Sequence, residues 1–136
     1  MMNELTKIAR IHGQKFFVPA FFKGKINANF FTEDLLSFIE NNTDSFDIIA
    51  LDIDNGPEAF SSSTNELLYS CNGLELLKNR LKNNGVLLLW SSFRDLTFES
   101  RAHTCEFTVV PHPVQISEKT QLIHFIYRLT VEKIKV

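Results

Sequence analysis

Between Phe46 and Asp54 the apolar residues Ile48, Ile49, Ala50, Leu51 and Ile53 follow one another almost without interruption and end in acids. A run apolar on both pleat faces predicts a strand covered on both sides, as in a parallel α/β sheet. Val86–Trp90 has the same signature. Between the two, Leu74, Leu77 and Leu81 fall at helical spacing, with Lys78, Arg80 and Lys82 turned to water. Ser70 or Asn72 can cap the first turn of that helix, Asn72 with Glu75 three residues on. Gly85 supplies the permissive backbone expected to end it. Strand, helix and strand in this order make a βαβ unit, and a largely parallel sheet follows.

On either side the pattern is weaker. Ile26–Phe31 reads as a strand, followed by Thr32 as N-cap and a helix that buries Leu35, Leu36 and Ile39. Arg94–Thr104 reads as a helix, then Phe107–Val110 and Leu122–Val131 as antiparallel strands. Pro111–Thr120, with its two prolines, is expected to be their connection, and Pro111-His112-Pro113 a fixed turn within it. Phe16, Phe17, Val18, Phe21 and Phe22 crowd around Pro19. Such a patch needs a cover, either from the core of its own domain or from a second copy of the chain.

The chain has 136 residues, one ordinary domain over 1–136 with a core of its own. A formal net charge of −2 gives no electrostatic footprint for nucleic acid or anionic lipid. No apolar run approaches the roughly 18 residues of a membrane span, and the opening residues lack the pattern of a signal peptide. A cytoplasmic protein is the expectation. Cys71 and Cys105 have no CxxC spacing, so reduced thiols are expected. His12, His103, His112 and His124 lack HExxH spacing, and His103 with Cys105 offers too few ligands for zinc, so no metal is expected.

Four segments carry a resemblance: Asp47–Pro57 (DIIALDIDNGP), Leu68-Tyr69-Ser70, Gly73-Leu74 and Gly85-Val86-Leu87. Together they resemble spermidine-synthase-like proteins of the Rossmann-like S-adenosylmethionine-dependent transferase (methyltransferase) superfamily, in their carboxyl-terminal part. The resemblance implies an incomplete Rossmann-like α/β fold, with a mostly parallel sheet and a terminal antiparallel strand pair. The first strands and the glycine-rich loop are missing on this reading, and Asn3 with Ile11-His12-Gly13 corresponds to the helix after the second strand. No GxGxG occurs in the sequence, and the acid that binds ribose hydroxyls in such folds has no counterpart. No cofactor is therefore expected for this chain alone, although S-adenosylmethionine or its decarboxylated form serves the family. The activity so implied is aminopropyl or methyl transfer, and the chain by itself is expected to be inactive.

Candidate site residues lie at the carboxyl ends of strands, where open α/β sheets place their ligand crevice. The resemblance makes Asp54 the nearest candidate for the aspartate that serves spermidine synthases as a general base or amine-binding group, although the family's aspartate-serine-serine-aspartate-proline becomes Asp52 to Pro57 with different spacing. Asp52 and Asp54, at i and i+2, either share a proton or a cation, or serve separately as a turn cap and a solvated charge. Asn55, Tyr69 and Trp90 are the substrate-binding candidates. The two aromatics either stack on an adenine or amine, or are core and rim residues. A non-enzymatic binding or assembly module is the alternative function. A homodimer, closed through surface that the absent strands would cover, is the expected partner arrangement.

Overall fold

The computed structural model describes residues 8–11, 28–31, 34–52 and 63–131, which fall into two compact units, Met1–Asn41 and Asn42–Val136. The aromatic patch around Pro19 lies outside the described residues.

In the first unit, β1 (Ile8–Ile11) pairs in parallel with β2 (Ala28–Phe31), and α1 spans Leu35–Asn41. The helix expected around Ile11 is instead strand β1 up to that residue. Asp34 caps α1, its Oδ1 accepting from the Ser37 N–H at 3.2 Å. The helix buries Phe38 and Ile39, whereas Leu35 and Leu36 are only half-buried.

The second unit contains β3 (Phe46–Leu51), α2 (Ser63–Leu68), α3 (Cys71–Asn79), β4 (Leu81–Ser91), α4 (Leu96–Thr104), β5 (Phe107–Gln115) and β6 (Ile123–Val131). Its sheet runs β3-β4-β6-β5. β3 and β4 are parallel, and β6 is antiparallel to both β4 and β5. Three strands therefore share one direction and only β6 opposes them. The α/β architecture with a terminal antiparallel pair matches the expectation, in a sheet that is mixed by virtue of β6.

Alternation along the strands sorts the sheet into two faces. Leu51, Leu89 and Tyr127 stand in register on one face, with Leu87 and Leu129 in the next row. All five are buried, together with Leu74 and Leu77 of α3 and Phe98 and Ala102 of α4. Phe98 stands edge-on to Tyr127, ring centroids 5.3 Å apart, and to Tyr69 at 6.1 Å. The opposite face is wetter: Ile48 is 51% exposed and Val110 38%, and Arg128, in register with Leu88 and Val110, is exposed too. The expectation that β3 is covered on both sides is thus corrected. It is an edge strand, and among the described residues nothing pairs with its free side.

Two further expectations are revised by local geometry. α3 ends at Asn79 with Arg80 as C-cap, so Leu81 begins β4 and Gly85 does not stop the helix. Phe46 pairs with Leu81 but Ile48 with Val86, so β4 bulges between them. Asn84 takes φ 64° there, and a Cβ on Gly85 would stand 2.8 Å from the Lys82 carbonyl oxygen and 3.1 Å from that of Phe46. Glycine is required at the bulge by close approach.

The prolines lie inside β5 rather than in its connection. The Ile116 N–H donates to the Leu122 carbonyl at 3.2 Å, extending the ladder. Even-numbered residues of β5 therefore turn their backbone groups toward β6, and odd-numbered ones turn theirs outward. The Phe107 carbonyl agrees, meeting His103 Nδ1 at 3.1 Å. The ring nitrogens of Pro111 and Pro113 thus sit where a missing donor costs the ladder nothing.

Candidate functional site

The carboxyl ends of β3 and β4 lie at the same end of the sheet because the strands are parallel. Asp52 follows β3 directly and is exposed. Asp54 and Asn55 lie outside the described residues. Tyr69 occupies the turn between α2 and α3 and is 1% exposed, packed on Phe98 within the helix-covered layer. Trp90, near the end of β4, alternates to the other face and is half-buried. Its ring meets that of His124 edge-on at 4.9 Å. Tyr69 and Trp90 thus belong to opposite faces of the sheet, and the fold does not gather them into one aromatic wall.

The turn before α3 is built by Ser70. Its hydroxyl accepts from the Gly73 N–H at 3.2 Å and donates to the Leu67 carbonyl at 2.6 Å, so one side chain closes α2 and opens α3. Asn72 is exposed, and Glu75 pairs with Lys78 at 2.6 Å instead of completing a box. Gly73 is buried where a Cβ would press on the Leu67 carbonyl and stand 2.6 Å from Leu68 Cα, so α2 and α3 meet through backbone.

Beyond β4 the chain folds into a second polar cluster that sequence reading did not single out. The Ser91 hydroxyl, fully buried, donates to the Phe93 carbonyl at 2.6 Å. Asp95 caps α4, its Oδ1 accepting from the Phe98 N–H at 2.9 Å, and its own N–H donates to the Tyr127 hydroxyl at 2.6 Å. Arg94 holds Glu99 through two bonds of 2.9 and 3.2 Å. Burial pushes the Tyr127 hydroxyl up to about 12; the Asp95 N–H opposes this and Glu99 adds to it. Asp95 Oδ2 has no hydrogen-bond partner among the described residues, although Asp95 is only 5% exposed. Aspartate is a favoured N-cap residue, and Asp95 ahead of the Leu96, Phe98 and Ala102 positions is the signal that could have found it. Nothing in the sequence near Tyr127 indicates that its hydroxyl meets residue 95.

The cysteines correct another expectation. Cys71 and Cys105 form a disulfide across a separation of 34 residues, with Cα atoms 5.9 Å apart. Spacing along the chain carried no sign of it, because the fold brings the start of α3 to the end of α4. Among the described residues no group of three His, Cys, Asp or Glu is arranged to hold a metal ion, and no helix is long and apolar enough to cross a membrane.

No protein-family model matches the sequence, and neither does any curated protein. Solved structures do share its fold. Human methyltransferase-like protein 13, solved in complex with SAH, aligns over 79% of this chain and 50% of its own at TM-score 0.59 and 17% identity. Precorrin-6y C5,15-methyltransferase from Geobacter metallireducens GS-15 aligns over 78% of this chain and 54% of its own, at TM-score 0.54 and 11% identity. The chain spans about half the length of these methyltransferases. Its fold is a partial Rossmann-like α/β fold, shared with these two structures.

Proposed function

We propose that this chain is a transferase-derived α/β module, related to the S-adenosylmethionine-dependent transferases, that does not hold the cofactor by itself and acts by assembly. The observation that carries this reading is the position of β3. It is an edge strand with Ile48 half-exposed, in a sequence without the glycine-rich turn through which backbone amides approach a dinucleotide-like ligand. The finer kinship with spermidine synthases, and with it the assignment of Asp52 and Asp54 to catalysis and of Asn55, Tyr69 and Trp90 to substrate, rests on the Asp47–Pro57 and Leu68–Ser70 segments. Titration calorimetry with S-adenosylmethionine and with its decarboxylated form tests the reading. No saturable heat at micromolar ligand is expected, and clear saturation with either would overturn it.

Self-association as a symmetric dimer is the form of assembly we favour. Along β3, Ile48, Ile49, Ala50 and Leu51 carry neither charge nor proline, Asp47 near its start being the strand's one charged residue, and such stretches of free edge pair with other strands. Two-fold closure satisfies identical surfaces at once.

A further inference from the structure

The two ends of the Cys71–Cys105 bridge are unlike. Cys105 is 4% exposed and forms the C-cap of α4, its N–H donating to the Arg101 carbonyl at 3.0 Å. Its own carbonyl accepts from Lys78 Nζ at 3.1 Å. Cys71 is exposed and is the first residue of α3, directly behind the Ser70 cap. A sulfur in the first turn of a helix is favoured as a thiolate by the amide dipoles, whereas one buried at a helix end of opposite polarity is not. Cys71 is therefore the end of the bridge on an exposed residue at a helix start, and Cys105 is the end that is withheld.

The surroundings indicate what the bridge controls. Beneath it, Leu74, Leu77, Phe98 and Ala102 are fully buried, so the packing of α3 and α4 on the sheet has its own apolar basis. The turn ahead of α3 is buried as well, Leu68 and Tyr69 each 1% exposed, and it is there that the chain is tied to α4. Besides the bridge, the Arg101 guanidinium holds the Tyr69 carbonyl at 3.1 Å, and the Tyr69 ring rests edge-on against Phe98.

We propose that the Cys71–Cys105 disulfide is a thiol-exchange site whose co-reactant is a dithiol, and that its redox state sets how firmly the turn carrying Tyr69 is held to α4. In the exchange, a thiolate of the dithiol attacks Cys71 Sγ. A new S–S bond forms, the Cys71–Cys105 bond breaks, and Cys105 leaves as a thiolate that takes up a proton. The second thiol of the reductant, as its thiolate, then attacks its own sulfur in the mixed disulfide and displaces Cys71. Two electrons pass to the protein, which is left with two thiols, and the dithiol departs as a disulfide. The inference is independent of cofactor binding and of dimerisation.

The test uses the full-length chain, purified without reductant and then exposed to dithiothreitol in the absence of denaturant. Iodoacetamide labelling read by mass spectrometry is expected to show the bridge opening, with Cys71 alkylated about tenfold faster than Cys105. Amide exchange in residues 66–75 is expected to rise about tenfold more than exchange in β4 and β6. A Cys71→Ser, Cys105→Ser variant should reproduce the exchange pattern of the reduced chain with or without dithiothreitol. A bridge that opens only in denaturant, equal labelling of the two sulfurs, or a uniform rise across the sheet would overturn the proposal. So would a double variant that fails to fold, or free thiols at both positions after trapping in intact cells.

Discussion

Tyr127 concentrates two jobs in one side chain. Its ring belongs to the buried row with Leu51 and Leu89, while its hydroxyl accepts the Asp95 N–H at the start of α4. Ionisation is opposed chiefly by burial, which moves the group from an ordinary value of about 10 to about 12. Because the folded value is the higher one, the contribution to stability is complete below pH ~10 and is lost as the pH rises through ~12. Urea unfolding followed from pH 8 to 11.5 should show a falling midpoint above pH ~10, worth about 2 kcal/mol at most. Tyr127→Phe should lack that alkaline limb and be weaker by about 1–2 kcal/mol at neutral pH, since a buried N–H loses its acceptor. An unchanged limb in the variant would assign the effect elsewhere. Glu106 is a different kind of special residue, held at φ 67° just past α4. Its contact with Lys78 is long, 3.4 Å, and its side chain is 83% exposed, so little is lost with it. Glu106→Gly should therefore raise stability by about 0.5–1 kcal/mol in the same assay; a loss would give the Lys78 contact more weight than its exposure allows.

Among the elements, α3 separates two capping schemes that local sequence leaves equal. Ser70→Ala should cost about 1 kcal/mol, and Asn72→Ala close to nothing, because only the Ser70 hydroxyl reaches the Gly73 amide. Comparable losses from thermal melts of the two variants would contradict the observed cap. Elements whose identity depends on their own periodicity were legible: Leu74 and Leu77 on α3, the Val86–Trp90 run of β4, and the antiparallel pair formed by β5 and β6. Features decided by neighbours were not. β3 reads as a doubly covered strand because its residues are apolar, yet exposure depends on what packs over each face of the sheet, which Ile48 does not encode. Pro111 and Pro113 read as a turn because proline breaks most ladders, but at alternate positions of an edge strand they break none. The Cys71–Cys105 bridge and the meeting of Tyr127 with Asp95 join residues more than 30 positions apart, and no local pattern reports such contacts. Of the candidate site residues, Asp52 lies at the predicted sheet end, while Tyr69 and Trp90 are separated by the alternation of the pleat.

For the whole molecule, the assembly reading makes a specific demand on β3. Ile48→Lys places a charge on the free edge at a position already 51% exposed, so folding should change by less than about 0.5 kcal/mol. Light scattering over a dilution series should report a dimer for the parent chain and a monomer for the variant. Monomers for both would remove the edge from consideration. The opposite edge of the sheet sets an upper limit on what such assembly can become. β5 offers, at Pro111 and Pro113, two outward positions where a neighbouring strand would look for a hydrogen-bond donor and find a ring carbon. On the proposed assembly the sheet would be univalent: one margin could accept a partner and the other would decline, so joining two copies would use up the capacity for growth, and the expected product is a closed pair rather than a filament.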